Sequence, residues 1–230
     1  MEKLTFKDGD GKLLPYRLLK PESYDAARKY PLVLFLHGAG ERGADNDKQL
    51  VHGVPQFASK VNRERYPCFL IAPQCPVDSK WVDVDWGAET HQSPKELAEP
   101  SRLTMLLVES MLKDLSIDPK RIYITGLSMG GYGTWDLIGR RPDLFAAAVP
   151  VCGGGDEGIA HTIKDIPVWA FHGAKDTAVK VSRTRNMIAA LEKVGAKPRY
   201  TEYPDVAHDS WSLAYKDPEL FRWLFAQAKD

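Results

Sequence analysis

Apolar residues come along this chain in short bursts, separated by longer stretches with helical spacing. The bursts Leu32–Leu36, Cys68–Ala72, Ile122–Thr125, Phe145–Val151, Val168–Phe171 and Pro198–Tyr203 read as strands. Two earlier ones, Leu4–Lys7 and Leu13–Leu19, are joined by the turn Asp8-Gly-Asp-Gly11. Helices are predicted near 45–60, 101–115, 128–140, 181–194 and 217–228. In the second helix Ser101 is placed to cap, and Leu103, Leu106, Leu107, Met111 and Leu115 form the apolar stripe. The third must stop before Pro142, because proline cannot continue a helix. Strand and helix in alternation predict an α/β fold, with a mostly parallel sheet of about eight strands covered on both faces. Residues 1–230 read as a single domain without a large cap domain. The long interruption, roughly 73–100, carries Pro73, Pro76, Pro94 and Pro100 with Trp81, Trp86 and His91.

Composition narrows the function. Lys plus Arg equals Asp plus Glu at 31 each, so no net field favours nucleic acid or an anionic membrane. No apolar run reaches the roughly eighteen residues of a spanning helix. The first residues lack the apolar core of a signal peptide, which predicts a cytoplasmic protein. The alternative is a secreted or periplasmic one whose leader has been removed. Three cysteines, Cys68, Cys75 and Cys152, suggest no disulfide framework, and Cys152 reads as a small core residue. The six histidines lack paired metal-ligand spacing, so no metal is expected. Gly153–Gly158 formally matches G-x-G-x-x-G but opens no long helix. It reads as a loop, and no cofactor is expected.

The chemistry concentrates at Gly126-Leu127-Ser128-Met129-Gly130, a G-x-S-x-G match between an apolar strand and a helical pattern. Such a turn lifts a serine hydroxyl toward the positive end of the following helix. A serine needs a base to take its proton, and the base needs an acid to orient it. Both follow in the order serine, acid, histidine. Asp176 lies after the strand ending at Phe171, and His208 after the strand ending at Tyr203. Asp205 and Asp209 flank His208 and are rivals for the acid. His172 reads as structural. After Leu36 the turn His37-Gly38-Ala39-Gly40 can offer a backbone donor to an oxyanion, with Ala39 first choice and Gly40 second. The Met129 amide is the other donor. His37 reads as a residue that fixes this loop. The charged stretch 41–49 reads by default as solvated, the alternative being a polar network bracing the turn.

On these residues the chain resembles an α/β-hydrolase of the carboxylesterase type. More narrowly, it is similar to small bacterial esterases labelled predicted peptidases or phospholipase/carboxylesterase-like proteins. The resemblance rests on LHGAGERG (36–43), IAPQCP (71–76), RIYITGLSMGGYGTW (121–135), FAAAVPVCGGG (145–155), FHGAKD (171–176) and HDSW (208–211). It implies Ser128 as nucleophile, Asp176 as acid, His208 as base, and Ala39 with Met129 as oxyanion donors. It implies no cofactor and a small-molecule ester as substrate.

The expected activity is hydrolysis of short-chain acyl esters, aromatic or sugar-linked ones included, through an acyl-enzyme. The alternatives are a serine peptidase or amidase of prolyl-oligopeptidase type, and a non-catalytic binding module on the same fold. With no cap domain, strand-end loops must wall the pocket. Trp81, Trp86 and Trp211 are the expected aromatic wall, unless Trp81 and Trp86 pack under the loop.

Overall fold

The computed structural model describes residues 1–229. In chain order it contains β1 (Glu2–Lys7), β2 (Leu13–Leu19), β3 (Tyr30–Leu36), α1 (Val54–Phe57), α2 (Lys60–Arg65), β4 (Phe69–Pro73), α3 (Glu99–Asp114) and β5 (Ile117–Leu127). It continues with α4 (Met129–Arg140), β6 (Ala147–Val151), β7 (Trp169–Gly173), α5 (Ser182–Lys193), β8 (Arg199–Tyr203), α6 (Trp211–Ala214) and α7 (Pro218–Ala226). The eight strands form one sheet in the order β1-β2-β4-β3-β5-β6-β7-β8. β2 pairs antiparallel with both neighbours, and all strands from β4 to β8 run parallel.

Every residue of β3 is buried, as a central parallel strand covered on both faces requires. Its side chains alternate between two cores. Leu32, Leu34 and Leu36 join a core with Leu103 and Leu107 of α3, Trp135 of α4 and Met187 of α5. Val33 and Phe35 point the other way, toward Phe57 of α1 and Leu220, Phe221 and Leu224 of α7. This two-residue period fixes the register, because a slip by one residue would exchange the faces.

Two sequence expectations fail locally. The helix expected over 45–60 is broken into a 3₁₀ turn at Lys48–Leu50 and the short α1 and α2. Gly53 between them has φ +70°, and a side chain there would meet the Phe35 ring. Ser101 does not cap α3, which begins two residues earlier at Glu99. The Ser101 hydroxyl is buried and donates to the Trp81 carbonyl oxygen at 2.6 Å. The short α6 has no counterpart in the sequence expectation. Among the described residues no helix is long and apolar enough to cross a membrane.

Candidate active site

β5 ends at Leu127 and α4 begins at Met129, so Ser128 alone makes the turn. Its φ of 54° and ψ of −117° lie where a residue with a side chain is strained. The Ser128 amide donates to the Val151 carbonyl oxygen at 2.9 Å, tying the turn to β6. Gly130 lets α4 approach β3 this closely. A Cβ there would collide with the carbonyl oxygens of Leu36 and His37.

Three strand ends converge on this serine. His208, after β8, places Nε2 2.9 Å from Ser128 Oγ and Nδ1 2.7 Å from Asp176 Oδ2. Nδ1 faces a carboxylate and therefore carries the proton. Nε2 is then free to accept from the serine hydroxyl. Asp176, after β7, has a side chain with no exposed surface. Its Oδ1 accepts from the amides of Ala178 at 2.8 Å and Val179 at 2.9 Å. Burial pushes the Asp176 carboxyl up, but hydrogen bonds from His172, His208 and the Val179 amide outweigh it. The net effect holds it well below the usual carboxylate range. The rivals lie elsewhere. Asp205 pairs with Lys175 at the surface, and Asp209 accepts from the Ser212 amide.

His172 lies closer to this chemistry than its sequence position suggests. It is fully buried, and its Nε2 sits 3.1 Å from Asp176 Oδ2 and 3.0 Å from the Val179 carbonyl oxygen. Two acceptors at Nε2 require the proton there. Asp176 is thus held from one side by His172 and from the other by His208. The only sequence signal was the spacing of four residues across the end of β7. Cys152 is a second unforeseen neighbour. It is buried with φ +40°, and its sulfur lies within 4.8 Å of an Asp176 oxygen and a His208 nitrogen. Burial pushes its thiol upward, away from the reactive thiolate.

Beside Leu127, which precedes Ser128, lies the turn after β3. Ala39–Glu41 form one 3₁₀ turn, and Met129 opens α4. The first amides of a helix have no partner inside it, which leaves those of Ala39, Gly40 and Met129 as candidate donors. His37 fixes the turn. Its Nε2 accepts from the Cys75 amide at 2.9 Å, so Nδ1 carries the proton and donates to the Gly38 carbonyl oxygen at 2.6 Å. Burial pulls this imidazole down to about 4. The stretch 41–49 closes on its inner side into a polar network, while Asp45, Asp47 and Lys48 stay exposed. Gln74 donates to the Glu41 carbonyl oxygen and to Asp45, and accepts from the Asn46 amide. Arg42 donates to the Ala39 carbonyl oxygen at 3.0 Å.

The aromatic wall needs correction. Trp81 has no exposed surface, and its indole N–H donates to the His37 carbonyl oxygen at 2.9 Å. It packs under the turn after β3 and cannot face an open pocket. Trp86 is half-buried against the core. Trp211 is half-buried and meets the His208 ring edge to face, with centroids 5.2 Å apart. The loop from 77 to 98 is pinned from beneath. The fully buried Arg183 donates to the Ala88 and Gly155 carbonyl oxygens and contacts His91, and Arg140 donates to the Pro94 carbonyl oxygen.

Fold and site together define an α/β-hydrolase. Residues 90–214 match the Dienelactone hydrolase family, and the chain belongs to that family. A thermostable esterase of known structure is 43% identical with a TM-score of 0.92, covering 99% of this chain and 63% of that one. A protein of Oryza sativa subsp. japonica named as a probable carboxylesterase is 24% identical, over 86% of this chain and 89% of its own. One of Aspergillus terreus named as a probable feruloyl esterase C is 25% identical, over 72% and 56%. The chain spans only 12% to 35% of the length of four other curated relatives.

Proposed function

We propose that this protein is a serine carboxylic-ester hydrolase. The observation that carries the reading is the hydrogen-bonded line from Ser128 Oγ through His208 to the buried Asp176. Ser128 attacks the ester carbonyl while His208 Nε2 takes its proton. The amides of Met129 and Ala39 receive the charge that develops on the carbonyl oxygen. His208 then returns the proton to the departing alcohol, leaving an acyl-enzyme. A water, activated by the same nitrogen, releases the acid. Asp176 keeps the imidazole in the working tautomer and stabilises its charged form throughout.

The natural ester is proposed to carry a short or aromatic acyl group. The site has no cap domain above it among the described residues, and Trp211 offers a flat apolar surface beside His208. The relatives named as carboxylesterase and feruloyl esterase support the same class. Activity should therefore peak on acetyl to butyryl or cinnamoyl-type esters and fall on long aliphatic chains.

Ser128→Ala tests the mechanism. Hydrolysis of p-nitrophenyl esters should fall by about a millionfold with the circular dichroism spectrum unchanged. A fluorophosphonate should label the native protein once and the variant not at all. Near-normal hydrolysis by the variant would end the reading. Faster turnover of p-nitroanilides than of esters would redirect it to a peptidase.

A further inference from the structure

The opposite end of the sheet carries a feature that ester hydrolysis does not use. At the N-terminal ends of β3, β4 and β5 there is a cavity of about 370 Å³. Arg28, Lys29, Arg65, Arg121 and Arg222 line it, and no carboxylate side chain does. Its aromatic floor includes Tyr66 and Phe225, which stack on each other with centroids 4.9 Å apart. The chain as a whole is neutral; these five cations face one cavity, while Glu22, Glu64 and Glu219 line the adjoining clefts that share Arg28, Arg65 and Arg222.

Not all five are equally free. Arg222 pairs with Glu219, and Arg121 donates to the Phe225 carbonyl oxygen at 2.8 Å and to the Tyr123 hydroxyl at 3.2 Å. Arg28, Lys29 and Arg65 take part in no ion pair among the described residues. Arg28 lies 5.6 Å from the Tyr30 ring centroid. Guanidinium groups match oxyanions through two parallel N–H donors, and three unpaired cations exceed what one carboxylate can use.

The geometry points to a binding site for a multivalent phosphate at this cavity, remote from Ser128. The phosphate oxygens sit between Arg28, Lys29 and Arg65, with Arg121 and Arg222 closing the sides. The same headgroup chemistry occurs in a free diphosphate and in a phosphatidate lipid, so the test has an arm for each.

Inorganic pyrophosphate is titrated calorimetrically into the full chain at low salt. In parallel, the protein is sedimented with phosphatidylcholine vesicles with and without phosphatidic acid. The double variant Arg28→Gln, Arg65→Gln is compared with Lys113→Gln, Lys193→Gln, which removes the same charge from exposed positions outside the cavity. The first should weaken binding by about tenfold or more, and the second by less than about twofold. Both should keep native hydrolysis of p-nitrophenyl acetate, since the cavity lies away from the proposed nucleophile. Saturable pyrophosphate binding marks a free phosphate as the ligand, and vesicle binding alone marks a lipid one. The site is overturned if native protein binds neither, or if the two double variants lose binding equally. Both results stand apart from the esterase reading, because neither depends on turnover.

Discussion

Lowering the pH from about 7.5 to 5 should destabilise the fold through His37, and the size of the effect can be worked out. His37 is 1% exposed, and its two ring nitrogens are committed as one acceptor and one donor. The folded protein holds this ring neutral down to about 4, whereas in the unfolded chain it takes a proton near 6.5. Between those values the unfolded state binds more protons, so stability falls as the pH falls. At pH 5 the loss comes to about 2 kcal/mol, and below pH 4 it levels off at about 3 kcal/mol. Urea unfolding at a series of pH values measures it directly. His37→Gln cannot titrate. It should be less stable at neutral pH but show a much flatter dependence between 7.5 and 5. His91, also pushed down by burial, leaves a smaller residual slope of the same sign. A His37→Gln protein that still loses the full 2 kcal/mol would refute this account. Because the folded ring stays neutral down to about 4, its hydrogen bond to Gly38 persists across this range, and the effect is read in stability alone.

Three further outcomes are expected. Asp176→Asn should lower kcat by about 10⁴-fold, because the His208 tautomer is then wrong, while Asp209→Asn stays near native; the reverse order in steady-state assays would reassign the acid. His172→Leu should lower kcat about tenfold to a hundredfold with KM little changed, since one donor to the Asp176 charge is lost. His172→Gln, which keeps an N–H near the same place, should recover most of that loss, and a variant pair with equal defects would reduce His172 to a packing residue. Trp81→Ala should cost about 3–5 kcal/mol in denaturant unfolding, as a buried indole and its hydrogen bond are removed. A stable Trp81→Ala protein with an altered acyl-chain preference would return Trp81 to the pocket.

The strands were legible because a parallel sheet buried on both faces writes continuous apolar runs, as Leu32–Leu36 and Ile122–Thr125 do. Ser128, Asp176 and His208, which the structure joins in one hydrogen-bonded line, stood out by their order and by their places just past strand ends, which survive without knowledge of distance. What failed depended on contacts between distant segments. The helix over 45–60 was lost to the backbone angle at Gly53, packed on Phe35. Trp81 sat in a polar stretch, and nothing local signals that its N–H reaches His37, 44 residues earlier. Nor does composition distinguish a solvated run of charges from one that closes around Gln74.

The partners in this site lie far apart along the chain: Ser128 and His208 are separated by 80 residues, Asp176 and His208 by 32. No fragment lacking either end of that span can bring them into register, and contacts of such long range form late in folding. Under the proposed mechanism, reactivity toward a fluorophosphonate can therefore serve as a clock on refolding. Helical signal should return first, burial of the indoles next, and labelling of the serine only when β5, β7 and β8 are seated side by side.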